Sequence, residues 1–241
     1  MKLRRAFPQV LTAQDHVTIA WTQASPHRRE PTLVSGAPRV GLRALTLAHA
    51  GDARARSAVL VASGALKLTN CTVSSSGCGG VVVAGGARLH ATQSYVGPCA
   101  GDGVLVEGYG ARAELADCRV HDARECGVLA AGGARVGLLR CHLERHLGRG
   151  VLVAGPGARL DVVQSVFHDN REHLVVDDPA FRRGRGAGDV NVNPHDDALD
   201  GAAVAVAAKL NTVKASARTY LQKKGKHGGV DQSGALFDAL M

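Results

Sequence analysis

The sequence predicts an all-β chain: a parallel β-helix of about six to seven coils, followed by a C-terminal amphipathic α-helix. Three observations predict it. A phrase of 22 to 24 residues recurs, apolar residues within it alternate by two, and the period becomes that of a helix after residue 197.

The phrase is anchored by apolar triplets that begin at Val59, Val81, Val104, Val128, Val151 and Leu174, in steps of 22, 23, 24, 23 and 23 residues. Glycine-rich punctuation follows each triplet, then Ala-Arg-Leu or a relative of it. Val81 to Gly103 reads VVVAGGARLHATQSYVGPCAGDG, and Val151 to His173 reads VLVAGPGARLDVVQSVFHDNREH. A fixed period in this range marks a stack of like units, each covering the core of its neighbour. Leu66 and Leu68, Leu89 and Ala91, Val136 and Leu138, and Leu160 and Val162 are two apart, the period of a strand. Each phrase holds three short strands: the triplet, the Arg-Leu-x-Leu stretch and the Cys-x-Val stretch. Gly-Gly, Pro-Gly and Gly-Pro elements part them. Stacked coil on coil, equivalent residues lie about 4.8 Å apart. A leucine-rich repeat shares the period but requires L-x-x-L-x-L-x-x-N, which this chain lacks.

An earlier, degenerate coil begins at Leu33, where Val40, Leu42, Leu45 and Leu47 align with Val136, Leu138, Cys141 and Leu143. Residues 1–32 are expected to form an N-terminal cap segment with a strand within 9–24, because the open end of a stacked core needs cover. The β-helix is bounded at 33–178, a loop is expected over 179–197, and 198–241 is expected to be helix and tail. Leu199, Ala203, Val206, Leu210, Val213, Ala217 and Tyr220 step by four and three, a narrow helical seam. Asp196 or Asp197 suits its N-cap, and Gly225 sits just past its end.

Composition agrees with a thin core. Aromatic residues make up 3% of the 241 and glycines number 30, so the interior is a stack of Val, Leu and Ala. No apolar run reaches the length of a membrane span. The start, MKLRRAFPQVL, lacks an adequate apolar region for a secretory signal, while the acid-poor, Arg-bearing residues 1–29 leave a transit peptide open. Leu45, Cys71, Ser94, Cys118, Cys141 and Ser165 fall in one column of the repeat, so cysteine is exchangeable there with Ser and Leu in a small inward slot. Cys78, Cys99 and Cys126 fall in turns at differing offsets. All six are expected to be reduced, hence an intracellular setting: cytoplasm, virion or organelle. No CxxC pair exists and no zinc site is expected.

The G-V-L-V-x-G-G-A-R-L-x-L-x-x-C-x-V phrase resembles the repeats of the right-handed parallel β-helix, or pectin-lyase-like, superfamily over roughly residues 33–178. Its short regular coils most resemble the non-enzymatic repeat arrays of F-box and spindle-associated eukaryotic proteins and of many algal and viral open reading frames. The resemblance implies a right-handed coil. It leaves function open, because this fold hosts both enzymes and passive scaffolds.

Four groups of side chains are candidates for function. Arg39, Arg88, Arg112, Arg135 and Arg159 share one outward column, a candidate polyanion ladder or a solubility stripe, with Glu114 and Asp161 as expected counter-charges. His121, Asp122, Glu144, His146, His168 and Asp169 follow the third strand, where a solvated turn competes with acid–base chemistry or a metal. Asn193-Pro194-His195-Asp196-Asp197 faintly resembles the Asp-Pro-His-Asp/Glu catalytic motif of alginate epimerases, but the first position is Asn and the motif lies outside the coils; a helix N-cap is the competing reading. Leu60, Val82, Leu105, Leu129, Leu152 and Val175 form an outward apolar docking stripe, on the face where the resemblance would place the catalytic Asp, Lys and Arg groups of the enzymes. The stripe is expected to meet the helix seam, another subunit or a partner. Together these features point to a non-catalytic structural or interaction scaffold that binds a protein partner or larger assembly, without cofactor. The alternatives are a carbohydrate lyase or epimerase, and a polyanion binder using the arginine column.

Overall fold

The computed structural model describes residues 31–51 and 55–177, and the backbone pairing of Lys2–Leu3, Gln9–Thr22 and Val190–Asn193. The chain divides into two compact units, Met1–Ala198 and Leu199–Met241. The coils belong to the first. The expected helix, with its seam from Leu199 to Tyr220, lies outside the described residues.

Between Leu33 and His168 the backbone makes six coils of three strands, every inter-coil pairing parallel. The triplets stack in the register read from the repeat: Val59 on Val81, Val81 on Val104, Val104 on Val128, Val128 on Val151 and Val151 on Leu174. They form an eight-stranded first face. The second and third strands form one 13-stranded sheet, because Arg39–Ala50 runs unbroken round the corner between them. We call its two limbs the second and third faces.

Two end segments add to the stack. Lys2–Leu3 pairs with Leu33–Ser35, and Gln9–Thr22 pairs with Arg39–Ala50, with a register shift between Thr12 and Val17. Val190–Asn193, expected within a loop, instead pairs with Arg159–Val163, Leu160 facing Val190 and Val163 facing Asn193. The Val-Asn-Val-Asn alternation is strand period; the preceding Gly- and Arg-rich residues concealed it.

Alternation decides what is inside. Leu66, Leu89, Ala113, Val136 and Leu160 fill one inward column, and Leu68, Ala91, Leu115, Leu138 and Val162 the next; all are buried. Each fully buried Leu or Val contributes on the order of 1.5–3 kcal/mol, so a core poor in aromatics suffices once every coil covers the next.

The corners need backbone that turns sharply. Asn70, Gln93, Asp117, Arg140 and Gln164 stack at the corner between the second and third faces, with φ of 51, 50, 53, 49 and 51°. This left-handed region costs roughly 1–2 kcal/mol outside glycine, least for Asn and Asp. The next residue is the cysteine column, buried throughout. Its side chain donates to the carbonyl two residues back: Cys71 to Thr69 at 3.4 Å, Ser94 to Thr92 at 2.8 Å, Cys118 to Ala116 at 3.2 Å, Cys141 to Leu139 at 3.4 Å and Ser165 to Val163 at 3.1 Å. Cys and Ser interchange here because both fit the corner and carry a donor for that carbonyl; Leu45, in the same column of the first coil, is buried there without one. All six cysteines are buried and unpaired.

One glycine column is set by close approach. Gly80, Gly103, Gly127 and Gly150 open the first-face strands, and a Cβ there would meet inward atoms of the same array. At Gly103 it would lie 2.6 Å from the Gly127 carbonyl oxygen and 2.7 Å from Val120 Cγ1. The Gly-Val-Leu-Val phrase therefore has a steric cause.

Candidate functional site

Side chains that leave the coils form columns, because each residue sits beside its counterpart one period away. On the second face Arg39, Ala65, Arg88, Arg112, Arg135 and Arg159 occupy one column. The five arginines of the expected ladder are in line, four on consecutive coils, with Ala65 as the gap. Arg112 is half-buried and the other four are exposed. The adjacent outward column reads Gly41, Lys67, His90, Glu114, Gly137 and Asp161. Glu114, expected as a counter-charge for the ladder, is instead engaged by His90 Nδ1 at 2.8 Å. Among the described residues no carboxylate pairs with Arg88, Arg112 or Arg135.

Other arginines are paired, most of them one period apart. Arg140 forks onto Asp117 at 2.6 and 2.8 Å, Arg145 onto Asp122 at 2.9 and 2.8 Å, and Arg149 reaches Glu172 at 2.9 Å, each across 23 residues. These pairs tie coil to coil on the outside. Opposite charges one repeat apart were the sequence signal for them.

The first-face stripe is in register as read. Leu60, Val82, Leu105, Leu129, Leu152 and Val175 stack in that order, and Val34 extends the column by one coil. The stripe is half-buried rather than open, and Val82 is its one buried member. Arg56 and Glu107, in a bidentate ion pair with both contacts at 2.5 Å, belong to the coils on either side of the one that carries Val82. The other outward column of this face runs Glu107, Ala131, Ala154 and Asp177.

The third-face cluster differs from the solvated turn that competes in the sequence reading. His121, Glu144 and His168 do stack, but the Glu144 side chain is only 3% exposed. It accepts from Arg119, from Arg145 Nη1 at 2.5 Å and from His168 Nε2 at 2.5 Å. Burial pushes the Glu144 carboxyl up, but the hydrogen bonds from Arg119 and Arg145 outweigh it and hold the group below its usual range. The Arg145 fork, with a smaller contribution from His121 at 2.7 Å, lowers Asp122 to about 2. His146 leaves the cluster altogether. It is 2% exposed, its Nδ1 accepts the Ala123 N–H at 3.1 Å, and its Nε2 has no partner among the described residues. Burial lowers it to about 4, so it is neutral at pH 7. Among the described residues no three His, Cys, Asp or Glu side chains converge as a metal site. A parallel stack sets its groups side by side, and the arrangement is that of an inter-coil clamp around one carboxylate.

Asn193 ends the last strand of the second face; His195, Asp196 and Asp197 lie outside the described residues. No curated protein and no solved structure matches the chain. The family model for the right handed beta helix region matches residues 57–186, just over half of the 241. A chain whose coils stack in parallel register over the residues which that model spans belongs to the family of right-handed β-helix proteins.

Proposed function

We propose that the protein is a non-catalytic interaction scaffold that presents its side-chain columns to a protein partner. The observation that carries this reading is the first face. Where a catalytic β-helix would use charged groups, the described side chains of the central outward column are seven aliphatic ones, from Val34 to Val175. A straight aliphatic column offers contact area and no acid, base or nucleophile. The clamped Glu144 supports the same reading, since a carboxylate held by two arginines and a histidine is a poor proton acceptor. Six buried free thiols suit a reducing compartment.

The test is a triple change, Leu105, Leu129 and Leu152 to Lys, in the full chain. These positions point outward, so the coils should still form, as read by circular dichroism. Proteins cross-linked to the wild-type chain in its native cells should be lost from the variant, and neither chain should turn over a panel of neutral and acidic polysaccharides. Sustained polysaccharide cleavage or epimerisation by the wild type would overturn the proposal.

A further inference from the structure

We propose that the second-face arginine column is a sequence-independent binding track for the phosphate backbone of duplex nucleic acid. This site is separate from the first-face stripe. Arg39, Arg88, Arg112, Arg135 and Arg159 form one line, and the step from Arg88 to Arg159 covers three coil spacings, about 14 Å. The chain joins arginines to carboxylates elsewhere, at Arg140 with Asp117 on the corner and Arg149 with Glu172 on the first face, yet Arg88, Arg112 and Arg135 have no carboxylate partner among the described residues. A row of like charges at this spacing is held in place by the stacked backbone, and a bound polyanion would relieve its mutual repulsion.

The chemistry of the row selects the ligand. Every basic residue in the column is Arg, whose planar fork takes two phosphate oxygens at once. A duplex carries one negative charge per about 1.7 Å of axis, denser than one guanidinium per about 4.8 Å. The supply of phosphate charge along a duplex therefore exceeds the charge of the row. An extended acidic peptide places same-side carboxylates about 6.6 Å apart and falls out of step within a few coils. Single strands are held on aromatic platforms, and these two outward columns contain no Phe, Tyr or Trp, with His90 engaged by Glu114. With no group aimed at base edges beyond a flat cationic line, binding should not depend on sequence.

The experiment measures binding of the full chain to fluorescent 20-base-pair duplexes of two unrelated sequences over a salt series. Five phosphate contacts give a log–log slope of about −4.5, an affinity loss of about 500-fold between 50 and 200 mM salt. The variant R88Q/R112Q/R135Q should bind more weakly at low salt, with a slope near −1.8 and a loss of only about 12-fold over the same range. The variant R56Q/R140Q/R149Q removes the same formal charge from paired positions and should keep the wild-type slope. Equal binding of the two duplexes is expected. Three results would overturn the proposal: no duplex binding at 50 mM salt, the same loss in both variants, or column-dependent binding that is tighter to polyglutamate or to an acidic polysaccharide than to the duplex.

Discussion

Gly127→Ala and Gly137→Ala are the same chemical change on two faces of one coil, and the structure gives them opposite signs. A Cβ on Gly127 would lie 2.3 Å from His146 Nε2 and 2.7 Å from the Gly150 carbonyl oxygen. The imidazole is tied at Nδ1 to the Ala123 N–H, and the carbonyl belongs to the next coil, so neither yields without parting strands. Overpacking of this kind costs about 1–3 kcal/mol. In an array of this size each kcal/mol moves the thermal midpoint by about 2–4 °C, so a fall of about 2–12 °C is expected. At Gly137 the nearest atom to a new Cβ is Glu114 Cγ at 3.9 Å, ordinary contact, and the backbone is regular strand. Alanine there restricts the unfolded chain and should stabilise by about 0.4–1 kcal/mol, a rise of about 1–4 °C. Far-UV circular dichroism melts of the two variants and the wild type at one pH decide it. An unchanged or raised midpoint for Gly127→Ala would refute the view that the glycine column exists for want of room.

Leu138→Asp places a carboxylate at a position 1% exposed, between Leu115 and Val162, at a cost of several kcal/mol; loss of the cooperative melt is expected, and a wild-type midpoint would mean that the residue faces outward. Cys141→Ser should melt close to wild type because its hydroxyl can still donate to the Leu139 carbonyl, whereas Cys141→Ala should lose on the order of 1 kcal/mol; indistinguishable midpoints would remove the donor argument. All six thiols should resist a thiol reagent in the native state and react on unfolding, and fast native labelling of Cys71, Cys118 or Cys141 would contradict their burial. His146 titrates near 4 when folded and near 6.5 when unfolded, so the unfolded chain takes its proton first. Stability should be full above pH 6.5 and fall by about 3 kcal/mol as pH drops toward 4, levelling below that; urea midpoints of His146→Leu that fall equally between pH 7 and 4.5 would show that other groups are responsible.

Much of this architecture was legible in the sequence because a parallel stack converts one repeat length into one neighbour. Residues 23 apart in the chain sit side by side, so the triplets, the arginine column, the apolar stripe and the cysteine column could all be aligned on paper, and each is in register in the structure. Alternation by two then assigned the inward and outward positions, as Leu138 and Arg135 show. What the alignment lacked was the third dimension at the corners. Glu144 ends the strand His142–Glu144 and His146 comes two residues later, yet one is closed over by Arg119 and Arg145 and the other turns into the core beside Gly127. Period alone does not separate them, because the turn of the corner decides where each side chain goes. Glu114 likewise stood near the arginine column in the alignment, but ring geometry gave it to His90. Val190–Asn193 joined the second face through a strand edge that only the folded coil before it supplies. The repeat thus determined fold, register and columns, which depend on local period and stacking. Tertiary structure decided which charges are paired, which are buried, and which stand outward without a partner, because those outcomes depend on distances across coils rather than on order along the chain.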